Sequence, residues 1–185
     1  CPGKLLCLAG NYASHILEGG GAFAGKEKMI TRFFSKPCTS IVGTGDAIRV
    51  PTSTGFADWE LELAVVIGKS GRNLTAAQAM EHIGGYTIFN DWSARDFQAW
   101  EYQPLGPFQA KAFATSISPW VVTRAALESF RVSTPEREKP LLPYLQDPRP
   151  MLYDIDLEVA IQPAGADTET VISETKYREM YYSAA

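Results

Sequence analysis

Residues 59–69 read WELELAVVIGK. From Trp59 to Ile67 the pattern has period two, which predicts a β-strand. Glu60, Glu62, Ala64 and Val66 share one face, and Leu61, Leu63, Val65 and Ile67 share the other. Gly68 and Gly71 end it. Two carboxylates about 7 Å apart along one strand face can both reach a hard cation. Taken alone, such a pair more often lines a solvated face. Asp154, Asp156 and Glu158 alternate in the same way on a later strand and read as solvated. Context separates the two runs. Leu63 to Ile67 is continuously apolar and reads as buried on both faces, and a carboxylate entering such a place wants a partner or a metal.

Outward from this strand the chain is rich in short extended segments. Strands are predicted at Lys4–Leu8, Arg32–Ser35, Ser40–Val42, Ala47–Val50, Tyr86–Phe89, Leu152–Ile161 and Thr170–Ser173, with Ala112–Val122 extended around Pro119. Thr75-Ala-Ala-Gln78 is a capping-box pattern, predicting a helix through Ile83 that Gly84-Gly85 closes. Ser93 can cap a second helix to about Trp100, and Glu174–Ser183 reads as a third. Gly19-Gly20-Gly21, extended by Gly25, is a loop. Residues 135–150 hold Pro135, Pro140, Pro143, Pro148 and Pro150 and form a proline-rich arm. The expected class is mixed α/β, strand-rich, with a few short helices. There is no GxGxxG or Walker loop, no GxSxG and no HExxH.

Composition narrows the partners. The chain has 185 residues, 45% hydrophobic and 21% charged, which excludes a disordered or collagen-like chain. A net charge of −4 lacks the basic footprint of a nucleic-acid binder. No apolar run reaches the ~18 residues of a membrane span. Cys1, Cys7 and Cys38 form no CxxC, so a cytoplasmic protein with free thiols is expected.

Other residues could carry chemistry. Asp91 closes a strand, with Arg95 and Gln98 at helical spacing beyond it. It reads either as a third oxygen ligand or as one half of a helix-start ion pair with Arg95. His15 and Glu18 form an HxxE pair in which Glu18 can orient an imidazole base, although a single histidine is more often structural. His82 reads as a helix C-terminal cation or a surface residue. Lys111, between Phe108 and Phe113, could stabilise an oxyanion or simply sit on the surface. A site built on carboxylates suits Mg²⁺, Ca²⁺ or Mn²⁺ better than zinc.

Several stretches, in order, carry a family resemblance. FNDWSARDFQAWEYQPLGPFQAKAFATSISPWVVT (Phe89–Thr123) resembles the signature of fumarylacetoacetate hydrolases. WELELAVVIGK resembles that family's metal strand, and NYASHILE (Asn11–Glu18) the NYxxHxxE opening of its shorter members. FFSKPCTSIVGTGDAIRVP, KPLLPYL and YDIDLEVAI also fit.

The resemblance implies a β-sandwich-roll, a homodimer and a divalent metal on Glu60, Glu62 and Asp91, with Lys111 and Thr115 beside it. Mg²⁺ is the expected ion. Arg95, Gln98 and Tyr102 would meet substrate, and His15, assisted by Glu18, would activate water. The implied activity is hydrolysis of a C–C bond in a fumarylacetoacetate- or acylpyruvate-like diketo acid through a metal-stabilised enolate, as in aromatic amino acid catabolism. The same site could instead decarboxylate a 2-oxo acid or isomerise keto and enol forms. A non-enzymatic binding member is the third reading. Longer members place an Asp ligand shortly before the His; residues 1–14 contain none, and Asn11 stands nearby. The family's later PGD and GT(x)xG segments do not occur. The expectation is therefore a single catalytic domain over 1–185 lacking its C-terminal part, by truncation or disorder.

Overall fold

A computed structural model describes residues 2–18, 31–136, 140–147 and 150–184. The Gly19–Gly21 and Gly25 loop lies outside the described residues, as do residues 137–139 and 148–149 of the proline-rich arm. In chain order the strands are β1 (Leu6–Ala9), β2 (Arg32–Ser35), β3 (Ile41–Val42), β4 (Ala57–Asp58), β5 (Leu61–Ile67) and β6 (Ile83–Asn90). They continue with β7 (Ser93–Ala94), β8 (Thr115–Ile117), β9 (Arg131–Val132), β10 (Leu152–Tyr153), β11 (Asp156–Ile161) and β12 (Thr170–Lys176). The α-helices are short: α1 (Ala13–Glu18), α2 (Ala76–Ala79), α3 (Arg95–Glu101) and α4 (Arg124–Leu127).

The chain divides into two compact units, each made of three segments. The first comprises Cys1–Gly10, Thr31–Ala64 and Thr87–Val121. The second comprises Asn11–Ile30, Val65–Tyr86 and Val122–Ala185. β5 and β6 contribute residues to both.

In the first unit β1 pairs antiparallel with β2, placing Cys7 opposite Phe34. β3 pairs parallel with β8, Ile41 against Thr115, and β8 pairs antiparallel with β6, Ser116 against Asn90. With β5 they form a sheet in the order β3-β8-β6-β5. β4 and β7 pair antiparallel, Asp58 against Ser93. The interior is unusual in composition. Its buried apolar residues are Cys7, Phe89, Ala94, Ala110 and Ala114, mostly small. Among them are buried Lys36, Ser40, Asp91, Ser93, Lys111 and Thr115. Charges are expensive to bury and persist only when paired, so each of these groups needs a partner inside the fold.

The second unit has an ordinary apolar core. β11 and β12 form an antiparallel pair with a register shift between Val159 and Ala160. β9 pairs with β10. Buried Tyr86 meets Tyr153 edge-on at 5.2 Å, and Tyr153 stacks on Tyr177 at 6.5 Å. Each such aromatic pair adds about 0.5–1.5 kcal/mol beyond the area it buries.

The structure corrects several expectations. The capping box at Thr75 forms, but the helical stretch ends at His82 and Gly84-Gly85 lie inside β6. Glycine here serves close packing. A Cβ on Gly84 would lie 3.2 Å from the Gly68 Cα, so only glycines let the two backbones approach. The predicted strand Leu152–Ile161 is two strands, because β10 and β11 take different partners. Asp154, Asp156 and Glu158 are exposed, as read. Glu174–Ser183 is not a helix. β11 captures it as a strand to Lys176, and a 3₁₀ turn at Tyr177–Glu179 then buries the Tyr177 ring. Ala47–Val50 is not a strand.

Candidate active site

The buried charges of the first unit form one cluster. Asp91 follows β6, and its N–H donates to the Glu60 carbonyl (2.9 Å), tying strand end to strand start. Lys36 follows β2. Its N–H donates to Leu5 O (3.0 Å), and its ammonium donates to Asp91 Oδ1 and to Ala114 O (3.1 Å). Lys111 ends a 3₁₀ turn, Gln109–Lys111. Its Nζ donates to Ser93 Oγ (2.6 Å) and lies 2.6 Å from Glu60 Oε2 and 3.1 Å from Asp91 Oδ2. The Phe34 ring faces the same ammonium, 5.6 Å from its centroid.

Arg95 opens α3 and anchors a second group. Its Nε donates to Asp58 Oδ2 (2.8 Å), and its Nη1 donates to Glu60 Oε1 and Gln98 Oε1 (2.9 Å to Gln98). The next residue, Asp96, accepts from Thr54 Oγ1 (2.5 Å) and Gly55 N (2.9 Å), while Arg95 N–H donates to Phe56 O (2.8 Å). The loop before β4 is thereby pinned to the helix start.

Glu60 and Glu62 therefore have different surroundings. Glu60 precedes β5, with one oxygen on Lys111 and the other on Arg95. Burial alone would raise its carboxyl, but these two cations hold it below the ordinary range. Among the described residues Glu62 has no ion-pair partner. Burial pushes its carboxyl up to about 8, with Asp91 and Glu60 adding to the rise. The Asp91 carboxyl is also raised, burial outweighing Lys111 and Lys36. One Sγ of Cys7 and one oxygen each of Glu62 and Asp91 lie within 4.8 Å of one another. Burial raises the Cys7 thiol as well, reinforced by Glu62 and Asp91. Asp91 Oδ2 is fully buried and, although 3.1 Å from the Lys111 ammonium, accepts no hydrogen bond.

These observations test whether a divalent cation fits. Converging oxygens, a carboxyl raised by burial and by neighbouring carboxylates, and a buried oxygen that accepts no hydrogen bond are what a hard cation would relieve. The donor set fits.

The other expected residues are placed as follows. Thr115 is fully buried on β8, and its hydroxyl pairs with Ser40 Oγ at 2.8 Å. Gln98 sits one turn along α3 from Arg95. Tyr102, the C-cap of α3, is exposed. His15 and Glu18 belong to α1 in the second unit. His15 Nδ1 lies 3.8 Å from Glu18 Oε2, and both side chains are exposed. Asp91 does not pair with Arg95; the two lysines take its carboxylate instead. Ser93 is no helix cap. It lies in β7, its hydroxyl bonded to Lys111 and to Asp91 O, and α3 starts after Ala94 without a side-chain cap.

Three members of the cluster were not singled out from sequence: Lys36, Cys7 and Asp58. A signal existed for Lys36. It sits directly between an aromatic strand, Phe33-Phe34-Ser35, and Pro37. Cys7 lies on a strand among leucines and looks like ordinary core.

Residues 4–185 match the family described as Fumarylacetoacetate (FAA) hydrolase C-terminal. A fumarylacetoacetase of Aspergillus fumigatus is 51% identical over 200 residues, covering 92% of this chain and 46% of that protein. Two solved structures are similar. Fumarylpyruvate hydrolase from Pseudomonas aeruginosa, in complex with Mn²⁺ and pyruvate, matches with a TM-score of 0.67 at 23% identity, over 98% of this chain and 67% of the other. A 5-carboxymethyl-2-hydroxymuconate delta-isomerase from Mycobacterium smegmatis matches with a TM-score of 0.54 at 37% identity, over 65% of this chain and 46% of the other.

The mixed, strand-rich framework with few short helices is thus of the fumarylacetoacetate hydrolase type. This chain belongs to the fumarylacetoacetate hydrolase family. It spans about half the length of the curated relatives it matches. No helix among the described residues is long and apolar enough to cross a membrane.

Proposed function

We propose that this chain hydrolyses a C–C bond in a diketo acid of the fumarylacetoacetate or acylpyruvate kind, acting as a homodimer in the cytoplasm. The observation that carries the reading is the convergence of half-buried Glu62 and buried Asp91, the latter beside Lys111. A divalent cation (Mg²⁺, or Ca²⁺ or Mn²⁺) held by Glu60, Glu62 and Asp91, with Thr115 near it, would supply Lewis-acid polarisation of the substrate's oxygens.

The chain's own residues supply the rest. His15 takes a proton from water, with Glu18, 3.8 Å from its Nδ1, orienting the imidazole. The water oxygen bonds to one carbonyl carbon. The bond from that carbon to the neighbouring methylene then breaks, and its electron pair leaves as the enolate of the remaining keto acid. A proton returned to the former methylene carbon completes an acid and a ketone. Lys111 is fixed by Glu60 and Ser93, so its charge is in place before substrate arrives. Arg95 and Gln98, already bonded to each other, offer a paired polar surface to a substrate carboxylate or oxyanion, with Tyr102 beside them in sequence.

The second reading is keto–enol isomerisation or decarboxylation of a 2-oxo acid, without water attack. The likeness to the mycobacterial isomerase favours keeping it. A panel of acylpyruvates, fumarylacetoacetate and oxaloacetate, with Mn²⁺ or Mg²⁺ and the intact protein, decides. Cleavage to an acid and a ketone supports hydrolysis. CO₂ release or isomerisation without cleavage selects the alternative. No turnover of any of them, with metal bound, overturns both.

A further inference from the structure

Lys111 owes its position to a turn, and one side chain holds that turn. Glu101, the last residue of α3, directs its carboxylate at three successive backbone amides. Oε1 accepts from Phe108 N–H (2.7 Å) and Ala110 N–H (2.8 Å), and Oε2 accepts from Gln109 N–H (3.1 Å). These amides open the 3₁₀ turn that ends at Lys111. The turn has no other side-chain cap: Phe108, its first flanking residue, offers none. Burial opposes the ionised carboxylate, but hydrogen bonds from Ala110, Phe108 and Gln109 outweigh it and keep Glu101 acidic.

The consequence reaches the buried cluster. Glu101 belongs to the same helix whose first residue, Arg95, grips Glu60. At its other end the helix holds the turn whose lysine also grips Glu60. One seven-residue helix thus sets both cations on one carboxylate. Lys111 is 1% exposed and Ala110 is wholly buried, so a shift of the turn cannot be absorbed by rotating the lysine into solvent. Charge-assisted hydrogen bonds to amides are also roughly twice as strong as neutral ones.

We propose that Glu101 is a positioning residue for the reaction, acting through Lys111 by clamping the amides of residues 108–110. This rests on the reading of Lys111 as the group that stabilises negative charge. No role in touching substrate is needed. Glu101→Ala removes both acceptor oxygens and with them all three hydrogen bonds. Glu101→Gln keeps the oxygen that serves Phe108 and Ala110 and loses the charge.

The test is a double-mutant cycle on kcat and KM with a cleaved diketo acid and the intact protein. Glu101→Ala should lower kcat on the order of tenfold to a hundredfold with little change in KM. Glu101→Gln should recover a good part of the rate. In a Lys111→Met background, the further loss from Glu101→Ala should vanish, because its route is already cut. Lys111→Gln replaces Lys111→Met if the latter does not fold. Amide hydrogen exchange of residues 108–110 should speed up in Glu101→Ala while the rest of the chain keeps its protection.

If Glu101→Ala lowers kcat equally with and without Lys111, Glu101 is only structural and the proposal fails. An unchanged kcat in Glu101→Ala also overturns it. Should Lys111→Met itself leave kcat unchanged, the reading of Lys111 fails instead, which is a different outcome.

Discussion

Lys36 and Asp91 form an ion pair from which both side chains are wholly withdrawn from solvent. The lysine also donates to Ala114 O, so its charge is shared between a carboxylate and a carbonyl. Asp91 retains Lys111 on its other oxygen. A pair this deep gains Coulomb energy and loses hydration energy in comparable amounts, so its net contribution is modest. Breaking it from one side is costly, because the remaining charge stays buried.

Lys36→Met should accordingly lower the free energy of unfolding by about 3–5 kcal/mol. Adding Asp91→Asn should recover part of that loss, since no buried carboxylate short of one of its two cations then remains. Urea unfolding of both single variants and the double variant measures the coupling. Strictly additive losses would show that the two groups do not depend on each other.

Much of this cluster was legible in sequence as residue types and little of it as pairings. The period-two pattern running into β5 pointed to Glu60 and Glu62, but pattern alone treats them as equivalent. Their difference arises from residues distant in the chain: Arg95 and Lys111 reach Glu60 and not Glu62. Burial of Lys111 was equally invisible, since a lysine between aromatics reads the same on a surface. Gly84 and Ser93 were misread for a related reason. Glycine after a helical run and serine before one are local stop and start signals. Here a tertiary contact claims each: Gly68 for Gly84, and Lys111 for Ser93. The failed helix at Glu174–Ser183 follows the same rule, its strand partner being β11.

Glu62 makes stability depend on pH and, as a proposed metal ligand, would couple metal uptake to it. Its carboxyl moves from 4.5 when solvated to about 8 in the fold, chiefly through burial. Between those values the folded protein holds a proton that the unfolded chain has released. The stabilisation is therefore complete below 4.5 and is lost as pH rises toward 8 in the metal-free protein. A divalent cation needs the ionised form, so its binding must expel that proton. Calorimetric titration with Mn²⁺ in buffers of different ionisation heat should show proton release near pH 7, with affinity rising from about pH 6 to about pH 8. Affinity independent of pH over that range, with no proton released, would contradict the assignment of Glu62.

Packing in the second unit permits a cleaner stability test. A methyl on Gly84 would meet the Gly68 Cα at 3.2 Å and its nitrogen at 3.4 Å, both of them backbone atoms that cannot rotate aside. Gly84→Ala should cost about 1–3 kcal/mol, the range for forcing a methyl into filled space. Gly55→Ala, whose methyl would meet nothing within 4 Å, is the control and should stay within about 0.5 kcal/mol. Equal unfolding midpoints for the two variants would argue that β6 and the Gly68 backbone part readily.

Arg95 tests whether the geometry of positive charge matters more than its presence. Its guanidinium serves Asp58, Glu60 and Gln98 at once, through Nε and Nη1. A lysine carries the same charge on one rotating ammonium and cannot reproduce that planar fork. Arg95→Lys would keep Glu60 ionised, since Lys111 still lies 2.6 Å away. It would release Asp58 or Gln98, and with them the fixed polar surface proposed to meet an anionic substrate. The expected result is a fall in kcat/KM of about tenfold or more, with the unfolding midpoint little changed. Steady-state kinetics on a cleaved diketo acid, paired with urea unfolding, separates the two effects. Wild-type kcat/KM in Arg95→Lys would show that charge alone suffices, and that the links to Asp58 and Gln98 serve only to hold the fold.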